Sequence, residues 1–330
     1  MDPKQIIAEM VAANGGPCVL DRIHLPYATA GSGPAAKFGF GCQLFLSDIA
    51  KASLRDRSFQ FLGDYWRTFP GRVNQLLPED QRRSVKFAGD PTDRIRADSR
   101  NFPLTRSYST VLFGEVDIGV PKDDVPPYQA DMLTVEEQSD ELSFVSATMP
   151  VCNDEGEVNS QQLLDATLRW CGIVRPAHGT AGFVLVFAAG MSQNTVHALQ
   201  LMKRFPGFDL IDGVKFVRRA KGTHNRIKGV NWLTVLGEEL VSELGGLQQI
   251  RQALEPSCAI HRYDGGIVIQ AGDGPRLGDT QRNDIPEHYR LVARYTKPVR
   301  FESYNKNGLF RVPENLDKVA ETLQWVRRFD

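Results

Sequence analysis

The sequence contains little cysteine, and the cysteines it has are far apart. Five are present among 330 residues, at Cys18, Cys42, Cys152, Cys171 and Cys258. No two of them form the CxxC pair that zinc ribbons and thiol redox sites use, and an odd, scattered set gives no disulfide framework. We therefore predict reduced thiols buried in the core, with neither a zinc ribbon nor structural disulfides.

Long apolar runs and a dominant charge are also missing. No window reaches the roughly 18 apolar residues of a transmembrane helix, and the amino terminus lacks the pattern of a secretory signal. Apolar residues make up 42% and charged residues 24% of the chain, which is typical of a globular protein. The net charge of −1 disfavours a dedicated nucleic-acid-binding protein. We expect a cytoplasmic protein that binds neither membranes nor nucleic acid directly.

The motifs of common catalytic and cofactor sites are absent as well. There is no HExxH zinc motif, no GxGxxG or GxxxxGK[ST] phosphate loop and no GxSxG nucleophile. None of the six histidines has a second one at the i, i+4 spacing that places two imidazoles on one helix face. The glycine-rich segment 271–279 has no clear helix after it to hold an anion. We expect no catalytic residue, no cofactor and no metal.

Strand and helix patterns interleave irregularly along the chain. A strand at residues 38–46 precedes a helix that ends at Phe69-Pro70-Gly71, and a strand at 181–190 precedes a helix that ends at Phe205-Pro206-Gly207. Proline terminates helices because it lacks an amide hydrogen. The pattern predicts an α+β fold of mixed or antiparallel sheets with packed helices. Its two related halves, 1–150 and 151–330, either form separate domains or pack as one unit.

Residues 229–246, GVNWLTVLGEELVSELGG, form the most regular stretch. Gly237 joins a predicted strand to a helix, and Glu238 and Glu239 in the first helical turn lie against the positive end of the helix dipole. Carboxylates there repel a phosphate, so we interpret the stretch as a corner of the fold. Downstream, Asp264-Gly265-Gly266 predicts a hairpin turn, and a last helix is predicted to begin near Pro313.

Charge is strongly segregated despite the neutral total. Residues 121–160 contain ten acidic residues and one lysine, a net charge of −9, whereas residues 81–110 contain seven basic and three acidic residues, a net charge of +4. Either the two segments neutralise each other in the fold, or the acidic segment steers the approach of a basic partner. In the second case the candidate partner-binding residues are Asp123, Asp124, Tyr128, Glu136, Glu137, Asp140 and Glu141.

The chain resembles the bacterial type VI secretion immunity proteins, a family once catalogued only as a domain of unknown function. The resemblance rests on GVNWLTVLGEELVSELGG, on KRFPGFDL before it and on VIQAGDGPRLGD after it. It extends over most of the chain and is strongest from about residue 179 to about residue 300. It implies a non-enzymatic antidote that binds a toxin encoded nearby, and several relatives are paired with nuclease toxins, including the VRR-Nuc type.

We therefore predict an immunity protein that blocks the active or substrate-binding groove of a nuclease. Two other functions stay open. One is a metal- or nucleotide-dependent hydrolase with a site built from His261, Asp264 and Asp279. The other is a structural or adaptor protein of the secretion apparatus.

Overall fold

The computed structural model describes residues 2–26, 33–47, 51–81, 83–114, 124–188 and 195–330. In this part of the chain, twelve strands form one sheet and ten α-helices surround it. The strands are β1 (His24–Pro26), β2 (Pro34–Leu46), β3 (Gln75–Leu77), β4 (Val85–Lys86), β5 (Tyr108–Phe113), β6 (Gln129–Thr134), β7 (Ser143–Met149), β8 (His178–Val186), β9 (Asp209–Leu210), β10 (Leu233–Gly237), β11 (Ala259–Tyr263) and β12 (Gly266–Gln270). The helices are α1 (Pro3–Ala12), α2 (Lys51–Thr68), α3 (Thr92–Ser99), α4 (Ser160–Val174), α5 (Thr195–Arg204), α6 (Gly213–Arg219), α7 (Glu238–Glu243), α8 (Gly246–Leu254), α9 (Glu287–Thr296) and α10 (Lys318–Val326).

The sheet has the order β11-β12-β10-β8-β2-β7-β6-β5-β3-β4, with β1 beside β2 and β9 beside β8. Every pair is antiparallel except the short β8–β9 pair. The predicted α+β class is confirmed. The strands before residue 150 occupy one part of the sheet and those after it occupy the other, and the two parts join where β2 pairs with β8. The division at residue 150 stays a prediction.

Both copies of the strand–helix–Phe-Pro-Gly pattern are present, and their strands β2 and β8 pair directly along nine residue positions. Their final glycines serve different purposes. Gly71 has a φ of 75° with open space around it, a conformation that glycine adopts without strain. At Gly207 a Cβ would overlap the carbonyl oxygen of Arg276. The second glycine is therefore required for close backbone packing.

The two sides of the sheet are covered differently. Cys42 of β2 contacts Thr167 of α4, whereas Phe45 of β2 packs on Phe216 of α6 with ring centroids 4.7 Å apart. Residues separated by an odd number along a strand face opposite sides, so α4 and α6 lie on opposite sides. We call the side of Phe45 the groove face. Phe144, which pairs with Phe45 in the sheet, shares this face.

Several local predictions are confirmed. The Asp264-Gly265-Gly266 turn joins β11 to β12, and the 271–279 segment is the loop that leaves this hairpin. Gly245 and Gly246 have φ values of 91° and 86°, as expected for a left-handed helix stop.

Two local predictions are wrong. The last helix begins at Lys318 rather than near Pro313, because the Asp317 side chain caps it by accepting the Ala320 N–H at 2.7 Å. The sequence patterns predict β-rich segments at residues 107–120 and 141–150, joined by loops at PKDDVPPYQAD and EEQSDE. The stretch between them is not only loop, since it contains β6, which pairs with both β5 and β7.

The prediction of reduced thiols is correct for only three cysteines. Cys42, Cys171 and Cys258 are free and buried. Cys18 and Cys152, however, form a disulfide between residues 134 positions apart. The nearby Asp21 carboxylate accepts the N–H groups of Val151 and Cys152, both at 2.8 Å. The fold brings these distant segments together, which the spacing of cysteines in the sequence does not reveal.

Candidate functional site

The predicted partner-binding residues lie at the two ends of β6. Asp124 and Tyr128 precede the strand, and Glu136, Glu137, Asp140 and Glu141 follow it. Because a strand rises about 3.3 Å per residue, the six residues of β6 separate the two groups by roughly 20 Å. Asp123 lies outside the described residues.

The group before β6 is engaged with its own fold. The Asp124 carboxylate forms an ion pair with the Lys37 ammonium at 2.7 Å, and its side chain is 9% exposed. The half-buried Tyr128 ring packs on Phe69 with centroids 5.2 Å apart, and the Arg72 guanidinium lies 6.0 Å from its centre. Burial raises the pKa of Tyr128. Asp124 and Tyr128 therefore present little free polar surface.

The group after β6 belongs to a well-anchored loop, residues 135–142, which we call the acidic loop. The Glu137 N–H donates to the Leu104 carbonyl at 3.0 Å, and the Glu136 N–H donates to Ser107 Oγ at 3.3 Å. At the other end of the loop, the Asp140 carbonyl accepts the Gly222 N–H at 3.0 Å. The backbone of the acidic loop is thus bonded to two separate parts of the fold.

The acidic side chains of this loop reach the surface, whereas Val135 and Leu142 at its ends are buried. Glu136, Glu137 and Asp140 are exposed and Glu141 is half-buried. Asp140 forms a surface ion pair with Lys221 at 3.3 Å. For Glu136, Glu137 and Glu141 the described residues provide no salt bridge. None of these three carboxylates forms an ion pair in the described fold, although the charge of Glu137 acts on the Arg55 guanidinium.

The opposite charges of segments 121–160 and 81–110 do not satisfy each other within the described residues. Asp124, Asp140 and Asp154 pair with Lys37, Lys221 and Arg72, all outside the basic segment. The basic segment in turn uses nearby acids, since Arg96 pairs with Asp56 and Arg106 with Asp80.

Next to the acidic loop, the groove face contains an open groove of about 700 Å³. Its floor crosses β5, β6 and β7 and includes Ser109, Gln129, Asp131, Leu133, Phe144 and Ser146, and α6 forms one wall. Ser107, which bonds to the acidic loop, also lines the groove. Ser107 therefore connects the acidic loop to the edge of the groove.

Asp131 lies in the middle of the groove floor. Ser146 Oγ, on the paired position of β7, donates a hydrogen bond to its carboxylate. Burial, and after it the nearby Asp212 carboxylate, raise the pKa of Asp131 to about 7. Desolvation disfavours a charged carboxylate, and a second negative charge adds to the effect.

The patterns used above do not predict this groove, although its strands carry a signal. In β6, Ala130, Met132 and Thr134 are buried on one face, whereas Asp131 and Leu133 on the groove face are only half-buried. Polar residues at every second position of adjacent strands predict a sheet face that is not covered by apolar packing. The proline-rich stretch PKDDVPPYQAD, which includes the first residues of β6, predicts a loop instead, so this alternation is not apparent from composition.

Comparison with known proteins shows to which family the chain belongs. Residues 102–329 match a family model described as "TsiV: Type VI immunity for VRR-NUC". The chain belongs to the TsiV family. This confirms the resemblance to type VI immunity proteins and gives the chain its function, immunity against a VRR-NUC nuclease toxin, which is its partner.

A solved structure supports the fold of this TsiV-family chain. The Pseudomonas aeruginosa T6SS protein PA0821 superposes with a TM-score of 0.81, covering 100% of this chain and 92% of that one, at 20% sequence identity. Identity this low shows a shared fold. A comparison with curated proteins gave no match.

The residues considered for a hydrolase site have separate partners in the TsiV fold. His261 Nε2 lies 2.8 Å from Gln270 Oε1, and Asp264 pairs with Arg175. The buried Asp279 pairs with Arg204 at 3.0 Å and accepts the Gln281 N–H at 3.0 Å. Each side chain is thus used in a local structural contact.

The described residues contain no group of three or more His, Cys, Asp or Glu side chains placed to hold a metal ion. Nor does any helix among them have the length and apolar content to cross a bilayer.

Proposed function

We propose that this immunity protein neutralises its nuclease by occlusion, with the acidic loop lying against the nucleic-acid-binding groove of the toxin. Nucleases bind a polyanion and therefore carry basic side chains in that groove. The observation that supports the proposal is that Glu136, Glu137 and Glu141 form no salt bridge within the described residues, on a loop whose backbone is held at both ends. Such carboxylates are opposite in charge to the basic groove of the toxin and therefore complement it.

The antidote acts stoichiometrically in the cytoplasm, and its own side chains break no bond. Stoichiometric protection requires an affinity on the order of nanomolar, roughly −12 kcal/mol, over an interface of about 1,600 Å². Exposed ion pairs contribute only about 0–1 kcal/mol each. The acidic loop is therefore expected to set the association rate and specificity, while buried contacts hold the complex together.

Stoichiometry tests the absence of catalysis. Purified protein is titrated into a fixed amount of nuclease while cleavage of fluorescent DNA is followed. Cleavage should fall linearly and stop at a one-to-one ratio, because each antidote molecule covers one nuclease. Complete protection well below this ratio would indicate an enzymatic antidote instead. A complex that forms while cleavage continues would exclude occlusion.

Charge reversal tests the acidic loop. Glu136→Lys/Glu137→Lys should slow association with the nuclease by about tenfold or more at low salt, and should weaken its salt dependence, since steering depends on these charges. Stopped-flow or biosensor kinetics at several ionic strengths measure both effects.

The chain offers a matched control for this experiment. Glu238 and Glu239 are also adjacent and exposed, but they lie on α7 after β10, three strands from β7 in the sheet. Glu238→Lys/Glu239→Lys changes the net charge equally and should leave association nearly unchanged. If both double variants slow association to the same extent, total charge is responsible and the acidic loop is not the contact surface.

A further inference from the structure

The carboxylate of Asp131 lacks a cation among the described residues. Its hydrogen-bond partner, Ser146, is neutral, and no salt bridge joins Asp131 to any described residue. The other polar groups of the groove floor are neutral, namely those of Ser109 on β5, Gln129 on β6 itself and Thr148 on β7. A carboxylate in such a place is costly unless a positive charge reaches it.

The other charged groups facing the groove are Glu79, Asp212, Lys215, Arg218 and Arg219. Glu79 accepts Ser109 Oγ–H at 2.5 Å. Asp212 accepts the Lys215 N–H at 3.1 Å and forms an ion pair with the Lys215 ammonium at 3.1 Å. Arg218 is exposed and Arg219 half-buried, and neither forms a salt bridge within the described part of the chain. No described contact joins either arginine to Asp131.

The shape of the groove suits a long cationic side chain. Leu133 and Phe144 lie side by side on the floor, because they are paired across β6 and β7, and Ile211 lines the groove as well. Lysine and arginine bury an aliphatic stem against such surfaces while their charged group reaches a polar partner. The groove floor therefore offers apolar side chains against which the aliphatic part of a lysine or arginine can pack, and a carboxylate that its charged group can reach.

We propose that the nuclease inserts one lysine or arginine side chain into this groove and that Asp131 is its ion-pair partner. The inference rests on the proposed function, because the groove adjoins the acidic loop. It adds to that function one specific contact that would be buried in the complex. A charge-assisted hydrogen bond removed from water in this way contributes more to affinity and specificity than an exposed pair.

The ionisation of Asp131 gives the interaction a pH dependence. With the pKa of Asp131 near 7 in the free protein, the carboxylate is mostly protonated at pH 6 and mostly charged at pH 8. An inserted cation binds only the charged form. Binding should therefore weaken about tenfold from pH 8 to pH 6 through this group alone.

The test measures the dissociation constant of the complex with purified nuclease at pH 6, 7 and 8. Asp131→Asn keeps the shape of the side chain and an acceptor for Ser146 but removes the charge. It should weaken binding at pH 8 by about 30-fold or more and reduce the pH dependence. The control is Asp165→Asn, an exposed aspartate on α4 on the other side of the sheet, which should behave like the wild type.

The outcomes separate the inference from the proposed function. If the wild type fails to bind the nuclease at any pH, the proposed function fails. If the wild type binds, and Asp131→Asn binds equally well or more tightly with the same pH profile, the inference is overturned while occlusion stands. Thermal unfolding at pH 8 shows whether a weakened variant is folded. Asp131→Asn should melt at or above the wild-type temperature, since it removes a charge that burial disfavours.

Discussion

His178 shows at the scale of one residue how burial sets a chemical property. Its ring stacks on Phe45 with centroids 4.7 Å apart and meets the edge of Phe216 at 5.5 Å. Its buried Nε2 has no hydrogen-bond partner among the described residues. Burial, assisted by the charge of Lys228, lowers the pKa of His178 to about 3. This histidine belongs to the core and stays neutral in the folded protein.

The lowered pKa of His178 predicts acid sensitivity. Between pH 6.5 and about 3 the unfolded chain takes up a proton at this position and the folded chain does not. The free energy of unfolding therefore decreases as the pH falls through this window, by up to about 1.4 kcal/mol per pH unit. His178→Phe removes the proton uptake, so urea unfolding at pH 7.5 and 4.5 should show a smaller loss of stability on acidification than in the wild type.

The exposed His224 provides the control, and His224→Gln should follow the wild type. Identical losses for the wild type and His178→Phe would contradict the prediction.

Single residues could be predicted from the sequence where their role is local. The glycines at 245, 246 and 265 were assigned correctly because turn and helix-stop geometry depends on a few consecutive residues. Asp131 and the Cys18–Cys152 bond could not be found in this way. Their properties depend on which strand or segment lies opposite, and this is decided by the whole sheet.

At the scale of elements, boundaries depend on caps. α10 begins after Asp317, whose carboxylate accepts the Ala320 N–H at 2.7 Å. Asp317→Ala should lower the free energy of unfolding by about 1 kcal/mol, because the first turn loses its acceptor. Asp317→Asn keeps an acceptor at the same position and should cost less. Urea denaturation of both variants measures the difference, and equal losses would mean that the cap does not stabilise α10.

The missed strand β6 explains why the candidate site was only partly predicted. Its short polar sequence QADMLT lies between a proline-rich stretch and an acidic one, so composition favoured a loop. Once β6 is placed in the sheet, the predicted residues separate into two groups about 20 Å apart. Glu136, Glu137, Asp140 and Glu141 remain the proposed contact group, whereas Asp124 and Tyr128 pack within the fold.

For the whole molecule, the Cys18–Cys152 disulfide connects the amino-terminal segment to the end of β7 opposite the acidic loop. The proposed site of action is the cytoplasm, which keeps most thiols reduced, so we expect the protein to fold without this bond as well. Reduction should lower the free energy of unfolding by about 2–4 kcal/mol, because the unfolded chain regains the freedom that a long closed loop restricts. The Asp21 hydrogen bonds to Val151 and Cys152 should hold the segment in place, so nuclease affinity should not change.

Urea unfolding and nuclease binding with and without reductant measure both quantities. Cys18→Ser/Cys152→Ser should match the reduced wild type and should not respond to reductant. A loss of nuclease binding on reduction would mean that the amino-terminal segment supports the toxin-binding surface and that the oxidised protein is the working form.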